Sequence, residues 1–405
     1  MKVTADPAEL GFDPARLARI DSHFARYVDD DLLSGWQIAV TRRGQVVHAS
    51  THGLRDREAG LPVEPDTLWR IYSMTKPVTS VAAMMLWEEG AFQLTDPVSR
   101  WIPSFADLRV FDKGSAAKPF TVPAAEPVRV WHLLTHTAGL TYGFLGTSTV
   151  DAIYRAHGFE LGAPEGMDLA AACDAWAGLP LLFQPGSAWG YSVATDVLGR
   201  LIEVVSGQTL AEFFAERITG PLGMTDTAFW SDSPRLGALY APDPTTGRAL
   251  RYDALGDRAR TEPAMLSGGG GLVSSADDYH RFTQLLLRGG ELDGVRLLGT
   301  RTLAYMARNH LPGGLDLGHH NTGGFAETVF DGVGFGLGFA VMEDPRPAKT
   351  MSSPGELFWG GLASTAFWVD PVEQVTALLF TQLVPSSTYP LRPQLRQLVY
   401  SALVD

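Results

Sequence analysis

The 405-residue chain carries 45 acidic against 32 basic side chains, a net charge of -13, and is 45% apolar and 19% charged. That balance argues against a nucleic-acid binder, which shows a basic patch or stripe, and against a protein that docks on anionic membranes. At about 150 residues per domain the length suggests two to three domain-sized units with a core that needs no disulfide staples. The single cysteine, Cys173, can build neither a disulfide framework nor a cysteine-based zinc site, and its alanine-rich helical context suggests simple burial.

The N-terminus lacks a basic start, an apolar run and a cleavage site, and no window reaches about 18 consecutive apolar residues. A cytoplasmic protein with no membrane partner is the expectation. Residues 13–30 predict an amphipathic helix, with Leu17, Ile20, Phe24 and Tyr27 at three- to four-residue spacing. Trp36 to Val40 and Gln45 to His48, separated by Arg42-Arg43-Gly44, predict a β-hairpin. Near the other end, Thr365 to Asp370 and Gln374 to Phe380 show the same strand chemistry, and a helix near 391–403 closes the chain. Strands from both termini suggest one central antiparallel sheet flanked by helices, an α/β (α+β) fold. The middle reads differently, as helices over 73–89, 128–134, 167–177, 192–205 and 209–217 with Gly- and Pro-rich connections. The expected division is a sheet domain from 1–80 and 285–405, with a mostly helical domain at 81–284 inserted into it and an active site at their interface.

Among nucleophile patterns, Gly-x-Ser-x-Gly is absent, which disfavours an α/β-hydrolase. Ser-x-x-Lys occurs twice. On a helix, residues three apart share a face, so the lysine reaches the serine hydroxyl, and a desolvated ammonium loses its proton more readily. Ser115-Ala116-Ala117-Lys118 lies in a polar stretch and is expected on a surface loop. Ser73-Met74-Thr75-Lys76 follows the apolar run 68–72 and opens a long amphipathic helix. There the serine's own backbone N–H is free to bind an oxyanion. The alternative for Ser73 is a capping serine beside an exposed lysine. Lysine is scarce, only five of the 32 basic residues, which makes Lys76 worth inspection. Tyr191, after the turn-rich 184–190, could shuttle protons, its pKa pulled down by a nearby ammonium; the alternative is a buried aromatic. Phe358-Trp359-Gly360-Gly361-Leu362 precedes a strand, so its glycines would let backbone approach a ligand and its Trp would wall a pocket. The alternative there is a β-bulge with a core Trp. Gly268 to Gly271 lacks the Lys-Ser/Thr of a phosphate loop and reads as a tight, close-packed loop. His132 and His136 lack the intervening glutamate of a metal motif, and no metal is expected; His319-His320 reads as a solvated loop.

These sites, in this order, resemble the serine β-lactamase/penicillin-binding-protein superfamily, in its class C-like branch and especially the family VIII carboxylesterases. Trp131-His132-Leu133-Leu134-Thr135-His136-Thr137-Ala138-Gly139-Leu140, Pro221-Leu222-Gly223-Met224 and Gly268 to Ser274 are further phrases of that branch. The resemblance implies a β-lactamase/transpeptidase-like fold without a cofactor. It implies Ser73 as acylated nucleophile, Lys76 and Tyr191 as the general-base pair, and the N–H groups of Ser73 and Leu362 as the oxyanion hole. Trp359, Gly360 and Gly361 stand where β-lactamases have Lys-Thr-Gly, and Asp196 completes the esterases' Tyr-Ser-x-x-x-Asp. Two departures matter: Val193 replaces the Asn of Tyr-x-Asn, and Trp359 replaces the lysine. Both losses remove polar recognition of a β-lactam. The expected substrate is a small neutral ester with a short acyl chain, with Tyr142 and Phe144 as pocket walls. Acyl transfer, β-lactam or D-amino-acid peptide hydrolysis, and an idle sensor are the competing readings.

Overall fold

The computed structural model describes residues 1–320 and 330–405. Its largest unit is an eight-stranded antiparallel sheet. In space the strands run from Val333–Phe335 through Ala340–Met342, Leu357–Gly360, Ala366–Asp370 and Val375–Phe380 to Gly35–Arg42, Gln45–Asp56 and Leu61–Pro62. The junction of the two chain ends lies in the middle, where Gln37 pairs with Phe380 and Arg42 with Val375. The expected hairpin and the sheet built from both termini are therefore present.

Two-residue periodicity makes this sheet the centre of a sandwich. Trp36, Ile38 and Val40, with Trp368, Ala377 and Leu379, face the helices at the two termini, where Ile20, Phe24, Leu395 and Val399 pack on them. The alternate residues Phe367, Leu378 and Phe380 face the other core. There the helix Ala276–Leu287 lies along the two central strands, its Tyr279 ring 5.3 Å from Phe367. This helix belongs to the sheet layer in packing, so the boundary expected at 284/285 falls inside it.

The middle of the chain is built around the helix Thr75–Glu88, wholly buried from Thr75 to Leu86, which packs along Ala194–Ser206. Several local expectations need correction. The N-terminal helix is two, Pro14–Leu17 and Arg19–Asp29, because Asp13 caps the first and Ala18 (ψ -15°) ends its ladder. The helix expected over 209–217 changes hydrogen-bonding pattern at Phe214, where a π-turn over Ala215–Thr219 takes over. Ser115 and Lys118 are not on a loop. They face each other across a two-residue turn in an exposed hairpin, Arg109–Ser115 with Lys118–Pro123. His319 and His320 end a short helical turn, His319 against Asp316 and His320 half-buried against the Pro312 carbonyl. Cys173 is free and fully buried. Among the described residues no helix is long and apolar enough to cross a membrane.

Candidate active site

Ser73 lies in a single 3-10 turn, Tyr72–Met74, that runs straight into the helix Thr75–Glu88. As part of the opening turn its N–H has no intrahelical acceptor. Tyr72, just before it, is held at φ +42°, a left-handed conformation that a non-glycine residue keeps only where its surroundings fix it. Those surroundings are visible: the Ile71 N–H bonds to the Leu272 carbonyl, the Leu272 N–H to Thr75 Oγ1, and the Tyr279 hydroxyl to the Met74 carbonyl.

One turn on, Lys76 is 1% exposed. Its Nζ donates to Ser73 Oγ at 3.2 Å, to the Tyr142 hydroxyl at 3.0 Å and to the Gly269 carbonyl at 2.7 Å. It also lies 4.5 Å from the centre of the Tyr191 ring. Burial pulls the amine down to about 7, an effect that the carboxylate of Asp196 partly opposes. A lysine so placed is partly neutral at physiological pH and can accept a proton.

The glycine run explains how Lys76 is held. The Asp196 carboxylate accepts from Ser267 Oγ at 2.5 Å and from the Gly269 N–H at 3.0 Å, while Thr79 Oγ1 donates to the Gly268 carbonyl at 2.7 Å. The Gly269 carbonyl is thereby turned onto the ammonium. A Cβ at Gly269 would stand 2.5 Å from Asp196 Oδ2, and one at Gly268 2.8 Å from the Thr195 carbonyl. Only glycine allows that approach.

Tyr191 is buried against Trp359, whose Nε1 donates to its hydroxyl at 3.3 Å, and the hydroxyl also hydrogen-bonds with Ser73. Burial raises its pKa above the ordinary value, and these hydrogen bonds only moderate the rise. This corrects the expectation of a phenol pulled down by a neighbouring cation: desolvation of the phenolate outweighs the attraction. Burial pushes Tyr142 up as well. Both tyrosines are neutral phenols where Lys76 titrates, so Lys76 is the group suited to accept the first proton.

The other side of the Ser73 corner comes from the sheet. The strand Leu357–Gly360 runs into Gly361 and Leu362 beside the Ser73 turn. A Cβ on Gly361 would lie 2.2 Å from the Ile71 carbonyl, so a side chain there would push the strand end away from Ser73. From the far side the half-buried Arg392 donates to the carbonyls of Gly361 (3.0 Å) and Thr365 (2.9 Å).

In front of Ser73 is a cleft of about 760 Å³, whose lining includes Tyr142, Phe144, Val193, Asp196 and Leu362 together with Phe159, Met167, Trp176 and Phe229. The Tyr142 and Phe144 rings stack with centroids 5.0 Å apart. Trp359, Gly360 and Gly361, expected to bind substrate, are not part of this lining. Trp359 packs against the Tyr191 ring and hydroxyl, and of this segment Leu362, in the turn that follows the strand, reaches the cleft.

The Beta-lactamase family model matches residues 20–401. The chain belongs to the Beta-lactamase family. It is 34% identical to Esterase EstB of Burkholderia gladioli over 98% of both chains. It is 38% identical to Protein Rv1367c of Mycobacterium tuberculosis over 88% of each. The fold matches that of "EstCE1, a hydrolase with promiscuous acyltransferase activity" with a TM-score of 0.79 and 28% identity, covering 96% of this chain and 99% of that one. The β-lactamase/transpeptidase-like architecture expected from the sequence is present.

Within that fold the structure brings Ser73, Lys76, Tyr191, Asp196, Tyr142 and Leu362 to one place. Sequence reasoning missed the Gly269 carbonyl as an acceptor for Lys76, the reach of Tyr142 to the same ammonium, and Arg392 behind Gly361. Four consecutive glycines signalled a close approach, although not to what. Tyr142 and Arg392 carry no local signal.

Proposed function

We propose that the chain is a serine carboxylesterase, close to the family VIII enzymes, that cleaves short-chain acyl esters through an acyl-enzyme on Ser73. The observation that carries this is the Lys76 amine, drawn down to about 7 and 3.2 Å from the Ser73 hydroxyl in a buried site. Ser73 Oγ attacks the ester carbonyl carbon while its proton passes to Lys76 Nζ. The N–H groups of Ser73 and Leu362 hold the oxyanion. On collapse the bond to the alcohol oxygen breaks, and that oxygen takes the proton back, with the Tyr191 hydroxyl as relay. Water repeats the sequence from the free side and releases the acid. Val193 in the cleft wall supports an ester over a β-lactam, because its apolar side chain offers no amide contact of the kind β-lactam recognition uses, and no lysine stands at position 359.

Ser73→Ala should abolish turnover of p-nitrophenyl acetate and butyrate, and intact-mass analysis should find one fluorophosphonate adduct on the wild type and none on the variant. Turnover retained by the variant refutes the reading. A second reading, acyl transfer to an alcohol, is favoured by the wide, mainly apolar cleft, which has room for an acceptor beside a short acyl group, and by the acyltransferase activity named for EstCE1. Product analysis with competing alcohols separates the two: water as the only acceptor rejects transfer.

A further inference from the structure

The phrase Thr135 to Thr141, which supplies no group to the chemistry above, runs beside the segment 182–193 that carries Tyr191. The Leu182 N–H donates to the Gly139 carbonyl at 2.6 Å, the Gly186 N–H to Thr137 at 2.8 Å and the Gly190 N–H to His136 at 2.9 Å. At its far end the same phrase continues into Tyr142, on Lys76. His136 stands at the point closest to the base. Its carbonyl accepts from Gly190, and its Nδ1 hydrogen-bonds with Ser192 Oγ at 3.1 Å. The residues on either side of Tyr191 are thus both tied to one histidine. The imidazole itself packs on the Tyr191 ring, centroids 5.1 Å apart, with Trp189 and Phe335 on its other sides.

Three features make this bracket specific. First, His136 is held at φ +56° with both its main chain and its side chain committed to hydrogen bonds on the Tyr191 segment. Second, Ser192 Oγ also accepts from the Ala194 N–H at 3.3 Å, so the hydroxyl that meets Nδ1 is itself anchored to the backbone after Tyr191. Third, the ring is 1% exposed, and burial beside Lys76 holds its pKa well below the ordinary value, so the ring stays neutral.

We infer that His136 is a positioning residue for this reaction: by gripping Gly190 and Ser192 it fixes the Tyr191 hydroxyl between Ser73 and Trp359. The inference rests on the esterase reading, and it assigns to the Leu-Leu-Thr-His-Thr phrase a task in aligning the proton relay. Misalignment by about an ångström lowers turnover by up to a hundredfold while leaving the cleft intact.

The test uses the full chain and p-nitrophenyl butyrate. Ser192→Ala deletes the Nδ1 bond with little disturbance and should lower kcat roughly tenfold or more, with KM within about twofold. At the histidine itself, the side-chain amide of His136→Asn can take the place of Nδ1 as acceptor or donor to Ser192 Oγ, and asparagine tolerates positive φ, so this variant should keep most of kcat. His136→Gln puts its polar atoms one bond further out and should lose as much as Ser192→Ala. An unchanged kcat in Ser192→Ala, or equal kcat in the Asn and Gln variants, overturns the inference. Should the histidine variants not fold, Ser192→Ala decides alone. Wild-type turnover with an unaffected Ser192→Ala rejects the bracket only, whereas a wild type that never acylates at Ser73 rejects the bracket and the esterase reading together.

Discussion

The same four-residue pattern, serine to lysine three on, occurs in two regions with opposite outcomes. At 73–76 it opens a helix that is buried on all sides, and the lysine is desolvated among a carbonyl and two tyrosines. At 115–118 it spans the turn of an exposed hairpin, and Lys118 lies 5.9 Å over Phe120 with water around it. An exposed ammonium stays hydrated, and Ser115 has no desolvated amine beside it. The motif is therefore chemically silent unless the fold removes water from the lysine and supplies acceptors that fix its direction.

The comparison can be broken most directly by removing each serine in turn. Ser73→Ala should lower ester hydrolysis by roughly 10⁴-fold or more, as loss of a nucleophile does. Ser115→Ala should leave initial rates within about twofold. A large loss in the second variant would mean that the hairpin contributes to the site.

Next in size is the relay. Tyr191→Phe keeps the ring beside Lys76 but removes the hydroxyl, and kcat should fall roughly 10²- to 10⁴-fold by steady-state assay. A phenylalanine enzyme as fast as the wild type would leave Lys76 as the sole proton carrier.

The pH profile sharpens the contrast between the two lysines. With the Lys76 amine near 7, kcat/KM should rise as pH passes through about 7, because the neutral amine is the active form. Asp196 is the group that raises this pKa, so Asp196→Asn should move the acidic limb to lower pH. Its activity should fall as well, since the Gly269 loop loses the charge on its acceptor. Lys118→Met should leave the profile where it was.

The smallest effect is on stability. The Lys76 amine is lowered from 10.5 to about 7 on folding. Below pH 7 both states are protonated and the native state bears the full burden of a buried charge. From pH 7 to about 10.5 the unfolded chain binds the proton and the native one does not, so native stability rises with pH. The Tm of Lys76→Met relative to the wild type should therefore be higher at pH 6 than at pH 9.5 by about a few degrees. An equal or reversed gap would mean that the ammonium is not desolvated.

Short-range periodicity and composition encode the strands, the helices and the contrast between the two serines. The alternation of Trp36, Ile38 and Val40, repeated in Ala377 and Leu379, defined the strands and the sheet shared by both termini. The apolar run ahead of Ser73 and the helix behind it separated that serine from Ser115, and the glycine run announced a close contact. The tertiary structure alone decided the charge states and the partners. Tyr191 was expected to be acidified by a cation, yet its burial raises it and leaves Lys76 as the group drawn toward neutrality, because desolvation depends on how deeply a group is covered and not on which residues neighbour it in sequence. Trp359 read as a pocket wall, and the fold sets it against the Tyr191 ring and hydroxyl instead of in the cleft lining. Gly269 and Arg392 join the site across 193 and 31 residues of chain. Pairings at such separations leave no local pattern, since they are fixed by how helix and sheet layers pack.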